Sequence, residues 1–114
     1  MSKIKIILDT DPGNDDLLAI IMALKSELID IRGMTIVGGN ASLENTTNNA
    51  LSLLTYMNRV EVPVYIGDPS ALNESSTSPE EFDEFKSHRI EIHGETGLHV
   101  SLPSPSIEPK KYML

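Results

Sequence analysis

The sequence predicts an α/β fold built on a parallel sheet, and three observations carry that prediction. Short β-branched runs alternate with longer apolar segments of helical period, in the order strand–helix–strand–helix–strand. The first run, Ile4 to Leu8, is continuously apolar, as in a parallel strand buried on both faces. Turn residues punctuate the strand ends, Pro12–Gly13 after the first and Gly38–Gly39–Asn40 after the second.

Each element has its own warrant. Ile4 to Leu8 is short, β-branched and stopped by the Pro12–Gly13 turn. Asp15 and Asp16 then open a helix, since acids in a first turn meet the positive end of the helix dipole. Its body, LLAIIMAL from Leu17 to Leu24, is apolar nearly all the way round, which predicts a mostly buried helix ending near Lys25 to Glu27. Ile29 to Val37 reads as the second strand. Ser42 is an N-cap candidate for a second helix whose Leu43, Thr47, Ala50, Leu51, Leu54 and Met57 share one face. Val62 to Ile66 is the third strand, with Pro63 tolerated near its start. Residues 1–66 thus form a Rossmann-like βαβαβ start. Residues 67–114 are loop-rich, with five of the seven prolines and no long apolar segment to pack. Asn48 and Asn49 are expected on a solvated helix face, the acidic run Glu80 to Glu84 on a solvated surface rather than at a second metal site, and His88 and His99 are expected to be exposed.

The bulk chemistry excludes several functions. The chain of 114 residues is enough for one domain. A formal charge of −8 argues against nucleic-acid binding, which needs a basic face, and suits a cation binder. The absence of cysteine rules out disulfides and thiolate metal sites. No apolar run approaches the roughly 20 residues that span a bilayer, and the N-terminus lacks the layout of a signal peptide. A cytoplasmic protein with no membrane partner is the expectation. The G-x-G-x-x-G spacing of dinucleotide sites is missing.

Function is concentrated in DTDPGNDD, Asp9 to Asp16. Ligands bind at the carboxyl ends of parallel strands, and here four aspartates straddle a Pro-Gly bend at such an end. Carboxylate oxygens gathered this way suit a hard divalent cation, which would also relieve their mutual repulsion. The structural alternative is a turn acid at Asp9 with ordinary first-turn acids at Asp15 and Asp16. A phosphotransferase using Asp9 and Asp11 is a weaker alternative, because Gly13 stands where D-x-D-x-[Thr/Val] is required.

DTDPGNDD resembles the DTDPGxDD signature of the nucleoside hydrolases, the inosine-uridine preferring N-ribohydrolases. TIVGGN, SLENTTNNALSLL, VPVYIG and HGETGL resemble the family's following segments, in order, to about Pro105. The resemblance implies calcium-dependent hydrolysis of the N-glycosidic bond of a small-molecule ribonucleoside, through an oxocarbenium-like ribosyl centre. It implies Asp11 and Asp16 as calcium ligands, Asp11 also as general base, and Asp15 and Asn40 as ribose contacts. His93 is implied as a catalytic-pocket residue towards the nucleobase, and Asp9 as support behind the ligands. It further implies a homo-oligomer for the intact family protein. Because the match covers the N-terminal third of the family's chain, the domain is expected to be incomplete relative to the family. The isolated chain is accordingly expected to be inactive or nearly so, with a non-catalytic calcium-binding or interaction module as the alternative.

Overall fold

The computed structural model describes residues 2–70, 86–92 and 94–111. Within them the chain runs β1 (Ile4–Thr10), α1 (Asn14–Lys25), β2 (Ile29–Ile36), α2 (Leu43–Tyr56) and β3 (Val64–Ile66). The strands form one parallel sheet in the order β1-β2-β3. The predicted βαβαβ order and fold class hold, and α1 ends at Lys25, inside the expected window.

Both helices feed a single aliphatic core. Leu17, Ile20 and Leu24 of α1 meet Ile31, Met34 and Ile36 of β2, Leu51, Leu53 and Leu54 of α2, and Val64 of β3. Helices sharing one cluster lie on one face of the sheet, and each such aliphatic side chain contributes about 1.5–3 kcal/mol on burial. Ile6 and Leu8 pack on the cluster from β1. The intervening Lys5, Ile7 and Asp9 are exposed on the opposite face. The expectation of a strand buried on both faces is therefore corrected: among the described residues β1 is an edge strand with one solvent-facing side. A bulge between Ile6 and Ile7, opposite Arg32, shifts the register of the β1–β2 ladder.

Two further expectations are corrected. Helix α1 is not mostly buried, because Leu18 and Met22, one turn apart, are 62% and 66% exposed. The sheet and the shared core cover one side of α1, and among the described residues its outer stripe is left uncovered. The segment beyond Ile66 does find something to pack on, since Leu98, Leu102 and Ile107 lie against the core. Lys110 also pairs in parallel with Tyr65. Its amide donates to Val64 O at 2.7 Å, and its carbonyl accepts from Ile66 N at 2.9 Å. The outer edge of β3 is thus occupied by the returning chain.

The helix ends follow local chemistry. Ser42 caps α2 as predicted, its Oγ accepting from Asn45 N at 3.2 Å. At the start of α1, Gly13 is the N-cap and its amide donates to Asp16 Oδ2 at 3.3 Å, the side-chain-to-backbone half of a capping box. Arg59 Nη1 donates to Leu24 O at 2.8 Å, placing a cation at the negative end of α1.

Candidate functional site

The carboxyl ends of β1 and β2 are adjacent in the sheet, with Thr10 opposite Ile36. The two following turns therefore face each other. Strand β1 extends two residues beyond the predicted Leu8, so Asp9 lies inside the strand rather than past it. Asp9 is exposed, aligned with Thr35, and accepts from Thr35 Oγ1 at 2.8 Å.

Asp11 and Asp16 are brought together by Asn40. The Asn40 amide donates to Asp11 Oδ2 at 3.0 Å. Its side-chain Nδ2 donates to Asp11 O at 3.0 Å and to Asp16 Oδ2 at 2.8 Å. One residue of the second turn thus bridges both acids of the first. Gly39 makes this possible, because a Cβ there would collide with the Asp11 carboxylate. A Cβ at Gly13 would fall 2.7 Å from Asn40 Nδ2. Both glycines are there for close approach.

The electrostatics follow from this packing. Burial pushes the Asp16 carboxyl above its usual range, and the neighbouring charges of Asp11 and Asp15, with the Asp11 hydrogen-bonding contact, push the same way. The Gly13 amide opposes them. Asp15 is exposed at the start of α1. Among the described residues, no group of three or more His, Cys, Asp or Glu side chains is arranged to hold a metal ion. Two carboxylates converge; Asp9 is engaged by Thr35. His93 and the acidic run Glu80 to Glu84 lie outside the described residues, while Gly94 to His99 lie within them. His88 and His99 are exposed, as expected.

One residue was misread from the sequence. Asn49 is buried, at 5% exposure, rather than solvated. Its Nδ2 donates to Pro12 O at 3.0 Å and to Thr96 O at 2.6 Å. The available signal was helical spacing, since Asn49 falls three residues after Thr46 and four before Leu53 on the buried side of α2.

The family model described as inosine-uridine preferring nucleoside hydrolase matches residues 6–113. The chain belongs to this nucleoside hydrolase family. The pyrimidine-specific ribonucleoside hydrolase RihB of Escherichia coli K12 is 41% identical over 109 residues, 96% of this chain and 30% of RihB. RihB of E. coli O17:K52:H18 is 43% identical over 98 residues, 86% of this chain and 28% of its own length. Among solved structures, the purine-preferring ribonucleoside hydrolase of Gardnerella vaginalis superposes with a TM-score of 0.81 at 32% identity, covering 96% of this chain and 33% of that one. A plant nucleoside hydrolase, PpNRh1, gives 0.72 at 33% identity over 93% of this chain and 31% of its own. The chain spans about 30% of the length of the curated relatives it matches. Among the described residues, no helix of this nucleoside hydrolase chain is long and apolar enough to cross a membrane.

Proposed function

We propose that the chain carries one wall of a calcium-dependent ribonucleoside hydrolase site, in which Asp11 and Asp16 are cation ligands. The observation that carries this reading is the Asn40 bridge, which holds two carboxylates of the DTDPGNDD motif side by side at the end of β1. The donors fit calcium in type, being hard carboxylate oxygens, and the raised Asp16 pKa, due first to burial and then to the nearby Asp11 and Asp15 charges, marks a cost of ionisation that a cation would offset. When bound, the cation supplies Lewis-acid polarisation of the attacking water.

In this reading Asp11 would accept a proton from the attacking water as its oxygen bonds the ribosyl carbon and the N-glycosidic bond breaks, the base leaving with that bond's electron pair, and Asn40 fixes the Asp11 carboxylate through its own amide. Asp15, exposed at the first turn of α1, is free to hold a ribose hydroxyl. Asn40, from the facing turn after β2, serves the ribose, and His93 is proposed to serve the nucleobase. The carboxylates also stabilise positive charge developing on the ribose ring. Asp9 supports the sheet through Thr35 and acts on the ligands only through the β1 backbone.

Two carboxylates provide at most about four of the six to eight oxygens calcium takes. The isolated 114-residue chain is therefore proposed to bind calcium weakly and to release little or no base, which makes a non-catalytic calcium-binding module the second reading. Incubation with inosine and with uridine in millimolar calcium, following free base, decides between them. Turnover abolished by Asp11→Ala identifies a working hydrolase. Calcium heat in calorimetry without turnover identifies the module, and no heat at millimolar calcium refutes the cation site.

A further inference from the structure

We infer that Asn49 is a positioning residue that latches the acidic turn to the 94–99 segment, so that the turn and the segment move as one. The inference rests on the cation-site reading only for its functional consequence; the latch itself stands on geometry. The Asn49 carboxamide faces two backbone carbonyls, Pro12 O and Thr96 O, at 3.0 and 2.6 Å. Only the NH2 end, with its two hydrogens, satisfies two acceptors at once, so the amide orientation is dictated by its neighbours. Pro12 lies between Asp11 and Gly13. A displacement of its carbonyl is transmitted directly to the Asp11 side chain and to the Gly13 amide that holds Asp16.

Independent contacts show the 94–99 segment seated in the same place. Gly97 adopts a φ of +82°, and a Cβ there would lie 3.4 Å from Ala41 Cβ, 3.6 Å from Pro12 O and 3.7 Å from Asn40 O. The segment therefore packs on both strand-end turns through a glycine in the left-handed region. Asn45 Nδ2 donates to Glu95 O at 3.0 Å, and His99 N donates to Asn14 Oδ1 at 2.9 Å. The Asn45 contact holds the segment to the start of α2, and the His99 contact holds it to Asn14, the first residue of α1 within DTDPGNDD; Asn49 joins it to the bend itself, at Pro12 between Asp11 and Gly13.

The test uses amide NMR spectra of the full 114-residue chain without added metal, comparing wild type with Asn49→Leu, Asn49→Ser and Asn45→Ala. Asn49→Leu keeps the side-chain volume and removes both donors. It is expected to move the Gly13 and Asn40 resonances together with those of Gly97 and Leu98, and to speed exchange of the His99 amide by about tenfold. Asn49→Ser, with one hydroxyl donor, should recover part of both changes. Asn45→Ala should disturb the 95–98 side alone. If Asn49→Leu does not fold by circular dichroism, Asn49→Ser is read for the same two-sided shift. Gly13 and Asn40 remaining at their wild-type positions in the folded variant would overturn the latch. A calcium titration then reads the coupling: in wild type the Gly13 and Gly97 resonances should respond together, and in Asn49→Leu the Gly97 response should disappear. A wild type blind to calcium at both sides refutes the cation reading and leaves the latch to be decided by the metal-free spectra.

Discussion

The turn after β1 and the turn after β2 are made of opposite materials. The first carries Asp11, then Asp15 and Asp16 at the start of α1. The second, Gly38 to Ala41, carries no charge at all. Yet it is the second turn that makes a site of the first, because Gly39 admits the Asp11 carboxylate and Asn40 ties Asp11 to Asp16. Clustered acids supply ligand chemistry but repel one another; the uncharged turn supplies the donors and the clearance that hold them together.

Substitutions that exchange these roles should break the contrast in a definite order. Gly39→Ala has the largest expected effect, since its Cβ falls on the Asp11 carboxylate. It should cost about 1–3 kcal/mol in urea unfolding and abolish calcium heat. Gly38→Ala in the same turn meets only ordinary contacts, at 3.4 Å and beyond, and should be near neutral in the same measurement. Asn40→Ala comes next: it removes the donors to Asp11 O and Asp16 Oδ2 and keeps the backbone donor to Asp11. A loss of about 1.5–2 kcal/mol is expected, since one lost bond goes to a carboxylate and the other to a neutral carbonyl.

Asp16→Asn tests the charged turn from the other side. Its carboxyl titrates above the ordinary range in the folded chain, so the folded state holds more protons than the unfolded state just above the usual carboxylate pKa. Stability from this group is therefore lost as pH rises from about 4. Metal-free Asp16→Asn should melt higher than wild type at neutral pH, and the difference should shrink as pH falls through the carboxylate range. Thermal melts of both chains across pH check the sign, because the lowered Glu61 and Asp68 act equally in each. The smallest effect belongs to Asp9→Asn, whose contact with Thr35 is exposed. About 0.5 kcal/mol or less is expected, with calcium heat retained.

This contrast also explains what was legible in the sequence. DTDPGNDD announces itself by residue type, because four acids around a Pro-Gly bend have few other reasons to occur together. The element order was readable from period and punctuation, and Ser42 from cap chemistry. Gly39 was legible only as a turn residue and Asn40 as a turn residue with an implied ribose contact, since nothing in GGN says that its amides will meet Asp11 across the sheet. Asn49 was misread because a polar residue on a helix is solvated by default, and its partners lie far away in sequence at Pro12 and Thr96. The exposed side of β1 was misread because an all-apolar run describes a strand covered on both faces, whereas the helices here lie on one. Lys110, in a proline-rich polar stretch, gave no strand signal; its pairing with Tyr65 is imposed by the open edge of β3.

That pairing has a kinetic side. Tyr65 and Lys110 are joined only after the long intervening chain closes into a loop, and such non-local closures are slow because their entropy is spent before any contact rewards it. During vectorial synthesis the amides and carbonyls of Val64 and Ile66 emerge well before Lys110 does. Over that interval β3 is a bare strand edge, able to recruit another chain in place of its own tail. Lys110 therefore acts late in folding, as the residue whose arrival closes the β3 edge to other chains.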